Sequence, residues 1–230
     1  MSDFSLGMVI AKERLRGKGG LVAPALATVA VLGSAWVEHR AEVGAASVAA
    51  DVTLGIAFGT CLPLVAYALV ACSCRRGRLD DAVRSLARHG VNRRSAVLGV
   101  VVRTSLHVAI VGAVLGLFGV AAARGQLNSA ALTDALIAAW VGAIGGLAYT
   151  AWLSLGSLLG RRGGGRLLLL LVDFSVGAGS SAAAAPWPRS HVRSLIGGDL
   201  VLGMPAWESS LLLAFLAALY VLLCLVRVQR

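Results

Sequence analysis

Six apolar stretches, each about as long as a membrane-crossing helix, dominate this sequence. They lie near residues 21–37, 52–73, 95–123, 135–159, 167–185 and 209–226. An α-helix needs roughly 17–25 apolar residues to cross ~30 Å of hydrocarbon. Charged residues make up only 14% of the chain, against about 25% in a soluble domain. We therefore predict an all-α, polytopic membrane protein, a single transmembrane domain over residues 1–230 with six transmembrane helices.

Lysine and arginine are divided unequally between the two sides that six spans create. Sixteen of the 21 lie in the N-terminal segment, the second loop, the fourth loop and the C-terminal tail, which all fall on one side. By the positive-inside rule both termini are cytoplasmic, and we expect the bacterial inner membrane. The positive residues flank apolar spans instead of alternating with aromatic residues. The net charge of +10 therefore indicates contact with the lipid bilayer and not with nucleic acid.

Two segments on the basic side have the pattern of short helices. Residues 1–20 combine apolar and basic positions, which predicts an amphipathic helix in the cytoplasmic interface, although a disordered basic leader has the same composition. In the loop 75–94, Asp80 and Asp81 suit a helix N-terminus and Gly90 suits its end, about ten residues later. Five side chains of this loop are candidates for coupling to a partner: Leu79, Val83 and Leu86 on one apolar face, with Arg84 and Arg88 beside it. Such a stripe can lie on lipid, pack under the bundle or dock into another protein.

The connection 186–208 is too long for a simple turn and too apolar for a solvated loop. Trp187 and Trp207 are flanked by prolines, which is typical of anchoring at a membrane interface. Short re-entrant helices that dip into the outer leaflet fit this segment, provided that their ends are buried in protein. With His191, the two tryptophans are candidates for an outer gate.

A single acidic residue, Asp173, stands inside a predicted span. Intramembrane carboxylates are costly and usually functional, so Asp173 is a candidate polar site together with Arg103 and His107, which share a face of the third span. This carboxylate supports an alternative function, ion-coupled transport. Small residues at spacing four permit close helix contact, but with 28 glycines the pattern does not by itself assign an interface. The pairs are Gly55/Gly59, Gly112/Gly116, Gly142/Gly146 and Gly156/Gly160.

Catalytic and cofactor motifs are missing from the chain. No Gly-x-x-x-x-Gly-Lys-Ser/Thr motif is present, so the chain hydrolyses no nucleotide itself. The four histidines have no metal-ligand spacing, and the four cysteines lie in or beside apolar spans. Gly177–Ser181 is similar to the serine motif of rhomboid proteases, but the sixth span has no histidine to activate a nucleophile. We expect no enzyme and no cofactor in this chain.

The order of these parts resembles the membrane subunit of type-2 ATP-binding-cassette exporters. Ala11–Arg16 before the first span, Leu79–Arg94 in the coupling-loop position and Pro186–Trp207 in the re-entrant position carry the likeness, which covers the whole chain. The coupling loop departs from the commoner pattern at Gly90–Asn92, where a proline-leucine turn is often found, so the subfamily stays open. A haem-exporter-like membrane subunit of cytochrome c maturation has similar size and topology.

The resemblance implies partners and a mechanism. Such permeases work as dimers, with a second copy or a paralogue, and bind separate ATPase subunits that hold ATP and Mg²⁺. Movement of the ATPases pushes the coupling helix and switches the bundle between inward-open and outward-open states. A cavity lined by Ala, Leu, Val and Gly suits an amphipathic or lipidic substrate. The alternatives are an ion-coupled transporter or an accessory membrane subunit of a larger complex.

Overall fold

The computed structural model describes residues 2–40, 46–75, 77–125 and 128–228, and the regular structure of this part is entirely helical. The α-helices are α1 (Asp3–Leu15), α2 (Lys18–Arg40), α3 (Ala46–Ile56), α4 (Leu62–Ser73), α5 (Arg84–Ala87), α6 (Arg93–Arg124), α7 (Ser129–Gly156), α8 (Gly165–Val176), α9 (Pro188–Leu195) and α10 (Ala206–Arg227). A π-helical turn, Ala57–Cys61, joins α3 to α4, and 3₁₀ turns occupy Asp81–Val83, Arg161–Gly163 and Val201–Gly203.

Five helices in the described part are long and apolar enough to cross a membrane. They are Lys18–His39, Ala50–Ser73, Arg93–Arg124, Ser129–Gly156 and Ala206–Arg227. The second of these runs through α3, the π-helical turn and α4 without a break. These lengths and compositions are those of a multi-pass membrane protein. They coincide with five of the six predicted spans.

Side-chain caps fix where the two longest helices begin. The Asn92 side chain accepts hydrogen bonds from the backbone N–H groups of Arg94 (3.0 Å) and Ser95 (3.4 Å) at the start of α6. Asn128 caps α7 in the same way through the N–H of Ala131 at 2.8 Å. Each cap satisfies backbone donors that a helix N-terminus leaves without an intrahelical partner.

Glycines bring α6 and α7 into backbone contact. A Cβ atom built on Gly142 would lie 2.1 Å from the carbonyl oxygen of Gly112, and one on Gly112 would lie 2.2 Å from that of Gly142. The same test at Gly116 gives 2.5 Å to the carbonyl oxygen of Ala138. Two of the predicted small-residue pairs thus lie at one helix–helix contact. Gly55, by contrast, has nothing within 4 Å of its Cβ position.

One end of the bundle collects most of the arginines of the described chain. Arg14 of α1 donates hydrogen bonds to the carbonyl oxygens of Ser73 at 2.5 Å and Ala82 at 2.9 Å. The N–H of Leu79 donates to the carbonyl oxygen of Ser157, just after α7, at 3.4 Å. Helix α10 ends at this level, where Arg227 lines a groove shared with the loop after α4. We call this the arginine-rich end; α1 and the last turn of α10 both lie there.

The prediction of a continuous span over residues 167–185 is wrong, because α8 ends at Val176. Its 12 residues extend about 18 Å, against a hydrocarbon thickness of ~30 Å. The residues that follow, Gly177 to Ser181, include two glycines and two serines, which are poor helix formers. These small residues are compatible with a membrane span by composition, but they do not continue the helix.

After α8 the chain turns back into the bundle before it leaves again. Trp152 of α7 donates a hydrogen bond through Nε1 to the carbonyl oxygen of Leu169 in α8 at 3.4 Å. The ring of Trp152 also lies 5.2 Å from the ring of Trp187. Trp187, which follows Leu169 by 18 residues, has therefore returned to nearly the same level along α7. Helix α9 then runs along α7 away from the arginine-rich end, with Val192 beside Gly145. The re-entering limb is residues 177–187, and α9 leads outward from it.

Candidate functional site

The loop between α4 and α6 is folded against its own bundle. Leu79 and Val83, two of the predicted coupling residues, are 1% and 0% exposed and belong to the hydrophobic core, and Leu86 packs against that core. The apolar stripe could lie on lipid, pack under the bundle or dock into another protein, and in the structure it packs under the bundle. Leu79 and Val83 are therefore covered by the chain itself, whereas Leu86 is half-buried.

The helical part of this loop is shorter than the ten residues predicted. A 3₁₀ turn, Asp81–Val83, leads into the four-residue helix α5, and Val83 between them has φ −112° and ψ 4°, outside helical geometry. Gly90 closes the segment with φ +81°, a left-handed conformation that glycine adopts without a steric penalty. Gly90 lies three residues beyond the end of α5, so the continuous helix of about ten residues predicted up to Gly90 is not present.

Hydrogen bonds clamp the loop to the surrounding helices. The two bonds from Arg14 join α1 to the end of α4 and to Ala82, and the Leu79–Ser157 bond joins the loop to α7. At its far end, the N–H of Asn92 donates to Oδ2 of Asp3 at 3.0 Å. Burial, followed by the charge of Arg75, lowers the pKa of the Arg14 guanidinium from its usual value. These hydrogen bonds attach the loop to α1 and to the end of α7.

The outward face of the loop is a cationic groove. It has a volume of about 570 Å³ and is lined by Arg84, Ala87, Arg88, Val91 and Arg93. Arg84 and Arg88, the two predicted basic coupling residues, are both exposed here. Arg84 also forms an ion pair with Asp81 at 2.5 Å. This groove, and not the apolar stripe, is the part of the loop that faces outward from the bundle.

Asp173 lies in a buried polar cluster inside the bundle. Its side chain is 0% exposed, and Oδ1 accepts a hydrogen bond from the N–H of Arg189 at 3.2 Å. No contact of Oδ2 has full hydrogen-bond geometry within the described residues, but the Tyr149 hydroxyl, which also lacks such a contact, is placed to interact with this carboxylate. The negative charge of this carboxylate acts on the hydroxyl groups of Tyr149 and Tyr220. Burial of a carboxylate is energetically costly, which makes the wholly buried Asp173 the strongest candidate for a polar site in the bundle.

The cation near Asp173 is Arg189, not either of the predicted partners. Arg103 and His107 lie one turn apart on α6, close enough for the charge of Arg103 to act on the imidazole. Neither forms an ion pair or hydrogen bond with Asp173 in the described structure. The Arg189 guanidinium instead stacks on Phe174, 4.2 Å from the ring centroid. Sequence reasoning missed Arg189 because it lies 16 residues away, in a segment assigned to an outer loop.

The three predicted gate residues are not together. Trp187 packs edge-on against Trp152, and the wholly buried His191 donates through Nε2 to the carbonyl oxygen of Ala185 at 2.7 Å. Both therefore lie inside the bundle and stabilise the re-entering limb. Trp207, by contrast, is 64% exposed at the first turn of α10.

Aromatic residues also fix this limb at its deepest point. The Tyr220 ring lies 4.8 Å from that of Trp152, and its hydroxyl donates a hydrogen bond to the carbonyl oxygen of Pro186. The bond satisfies a backbone acceptor in an irregular segment, where a helical hydrogen bond is not available.

The described residues contain no group of three or more His, Cys, Asp or Glu side chains able to hold a metal ion. A scan against protein-family models finds no match, and neither does a search of curated proteins or of solved structures.

Proposed function

We propose that this chain is the membrane-spanning permease subunit of an ATP-driven ABC exporter of the type-2 class, in a bacterial inner membrane. A separate ATPase subunit supplies ATP hydrolysis, and the permease works as a dimer with a second copy or a paralogue. The substrate is amphipathic or lipidic, in keeping with the apolar bundle. The arginine-rich end faces the cytoplasm, as the positive-inside rule requires.

The observation that supports this proposal best is the clamped loop of residues 77–92. A motor that is a separate protein must push on an element that does not yield by itself. This loop has Leu79 and Val83 in the core. It is bonded to Arg14 and Asp3 of α1 and to Ser157 just after α7, and it caps α6 through Asn92. It also presents exposed guanidinium groups, which suit an acidic surface on the ATPase.

Reversal of the charge on the groove tests this function. The tagged chain is purified from its native membrane and the preparation is assayed for ATP hydrolysis, which this chain, lacking a P-loop, cannot supply. We expect activity with the wild type and its loss with Arg84→Glu combined with Arg88→Glu. The control is Arg161→Glu, another exposed arginine at the same end. A wild-type preparation without ATPase activity, or a double variant that keeps it, contradicts the proposal.

A second function, ion-coupled transport, is favoured by the complete burial of the Asp173 carboxylate inside the bundle. An intramembrane carboxylate can exchange a proton or a cation during transport. In proteoliposomes with an internal pH-sensitive dye, an imposed gradient then drives proton flux that Asp173→Asn abolishes. Asp199→Asn, at an exposed position, leaves the flux unchanged. Flux equal to that of empty liposomes removes this alternative.

A further inference from the structure

A second groove lies at the arginine-rich end, between the ends of α7 and α10. It has a volume of about 570 Å³ and is lined by Leu155, Leu159, Leu223, Val226, Arg78 and Arg227. Leu223 and Val226 are 42% and 47% exposed on α10. The groove therefore opens onto the face of a span that hydrocarbon covers in a bilayer.

Its two cations lie where lipid headgroups begin. Arg227 is the last residue of α10, and Arg78 belongs to the loop after α4. Nε of Arg78 donates to Oδ1 of Asp80 at 3.0 Å, and its terminal amino groups make no further hydrogen bond within the described residues. Arg227 forms no ion pair with an acidic residue of the described chain. The groove thus combines an apolar wall with guanidinium donors that are still free to bind an anion.

We propose that this groove binds the headgroup of one anionic phospholipid from the surrounding bilayer. The phosphodiester lies between Arg78 and Arg227, since the guanidinium fork matches phosphate oxygens in geometry and charge. The acyl chains follow α10 over Leu223 and Val226. A basic pocket between transmembrane helices on the cytoplasmic side is a recognised setting for anionic headgroups.

The groove selects between lipids by charge. Phosphatidylcholine carries the same phosphate, but its quaternary ammonium group would lie near two guanidinium groups and be repelled. Phosphatidylglycerol has no such cation, so it binds more tightly. Such a site is independent of whether the chain transports a substrate or by what energy source.

Binding of phosphatidylglycerol to the full chain in neutral detergent micelles tests the site, with phosphatidylcholine at the same mole fraction for comparison. Lipid-bound protein is counted by native mass spectrometry. We expect Arg78→Gln and Arg227→Gln each to weaken phosphatidylglycerol binding about fivefold, and both together about 25-fold. Arg16→Gln removes the same charge at an exposed position of the same end, outside both grooves, and leaves binding unchanged. Leu223→Asn weakens lipid binding without changing the cationic groups.

Three results would overturn the site. Equal weakening by Arg16→Gln means that the net charge attracts the lipid without a specific groove. Equal binding of phosphatidylcholine removes the charge selection. Glycerol 3-phosphate binding with the same affinity and the same arginine dependence identifies a soluble phosphate ligand instead of a lipid. Arg78→Gln also removes the ion pair with Asp80. If that variant elutes as aggregate, Arg227→Gln alone decides the outcome.

Discussion

Substitution of Gly142 by alanine tests the packing of α6 against α7 most directly. The added Cβ atom would lie 2.1 Å from the carbonyl oxygen and 2.4 Å from the carbonyl carbon of Gly112. Both are backbone atoms, so the helices themselves must separate by about 1 Å. Overpacking of this kind costs about 1–3 kcal/mol, and we take the upper value because no flexible side chain can give way. Alanine regains about 1 kcal/mol through its higher helix propensity.

The net loss is therefore about 2 kcal/mol, which lowers Tm by roughly 4–8 °C in a chain of this size. Thermal unfolding in detergent, followed by circular dichroism, measures it. Gly55→Ala is the matched control, because nothing lies within 4 Å of that Cβ position, and its Tm should stay level or rise by a few degrees. A Gly142→Ala protein as stable as the wild type, or an equal loss at Gly55, would refute the contact.

Two further substitutions separate the loop's internal packing from its outer face. Val83→Asp puts a charge at a position that is 0% exposed, which costs several kcal/mol, so the chain should elute as aggregate on size-exclusion chromatography even without a partner. The control Ser85→Asp should elute like the wild type. Normal elution of Val83→Asp would show that the apolar stripe is not buried. Arg14→Gln removes two charged hydrogen bonds and should speed tryptic cleavage at Arg84 and Arg88 at least about tenfold. The control Arg16→Gln should leave the cleavage rate unchanged. Equal cleavage rates of the two variants would mean that the hydrogen bonds of Arg14 do not hold the loop in place.

The sequence allowed five of the spans to be predicted because each is apolar over its whole length and ends at a clear cap or charge. The prediction of a span over residues 167–185 failed because the length of an apolar stretch does not fix the length of the helix within it. The alanines and glycines after Val176 are compatible with lipid, but Gly177 and Gly179 with the neighbouring serines do not sustain a helix. A count of apolar residues cannot detect this difference.

Asp173 could be found from the sequence, but its surroundings could not. A lone carboxylate in an apolar stretch stands out, whereas Arg189 becomes its neighbour only through the turn back into the bundle. The coupling loop shows the same limit in another form. The spacing of Leu79, Val83 and Leu86 identifies an apolar face, and only the packing shows that the face is covered by the chain's own core.

The shortness of α8 has a consequence for the order in which this protein is made. A nascent chain that has reached residue 190 has a helix of only 12 residues after α7, too short to leave the translocon for lipid by itself. Its irregular continuation has backbone groups that hydrocarbon cannot satisfy. Tyr220, which bonds the Pro186 carbonyl, is synthesised 34 residues later. Residues 177–187 can therefore reach their final position only after α10 has been made, because the hydrogen bond from Tyr220 that holds them does not exist before then.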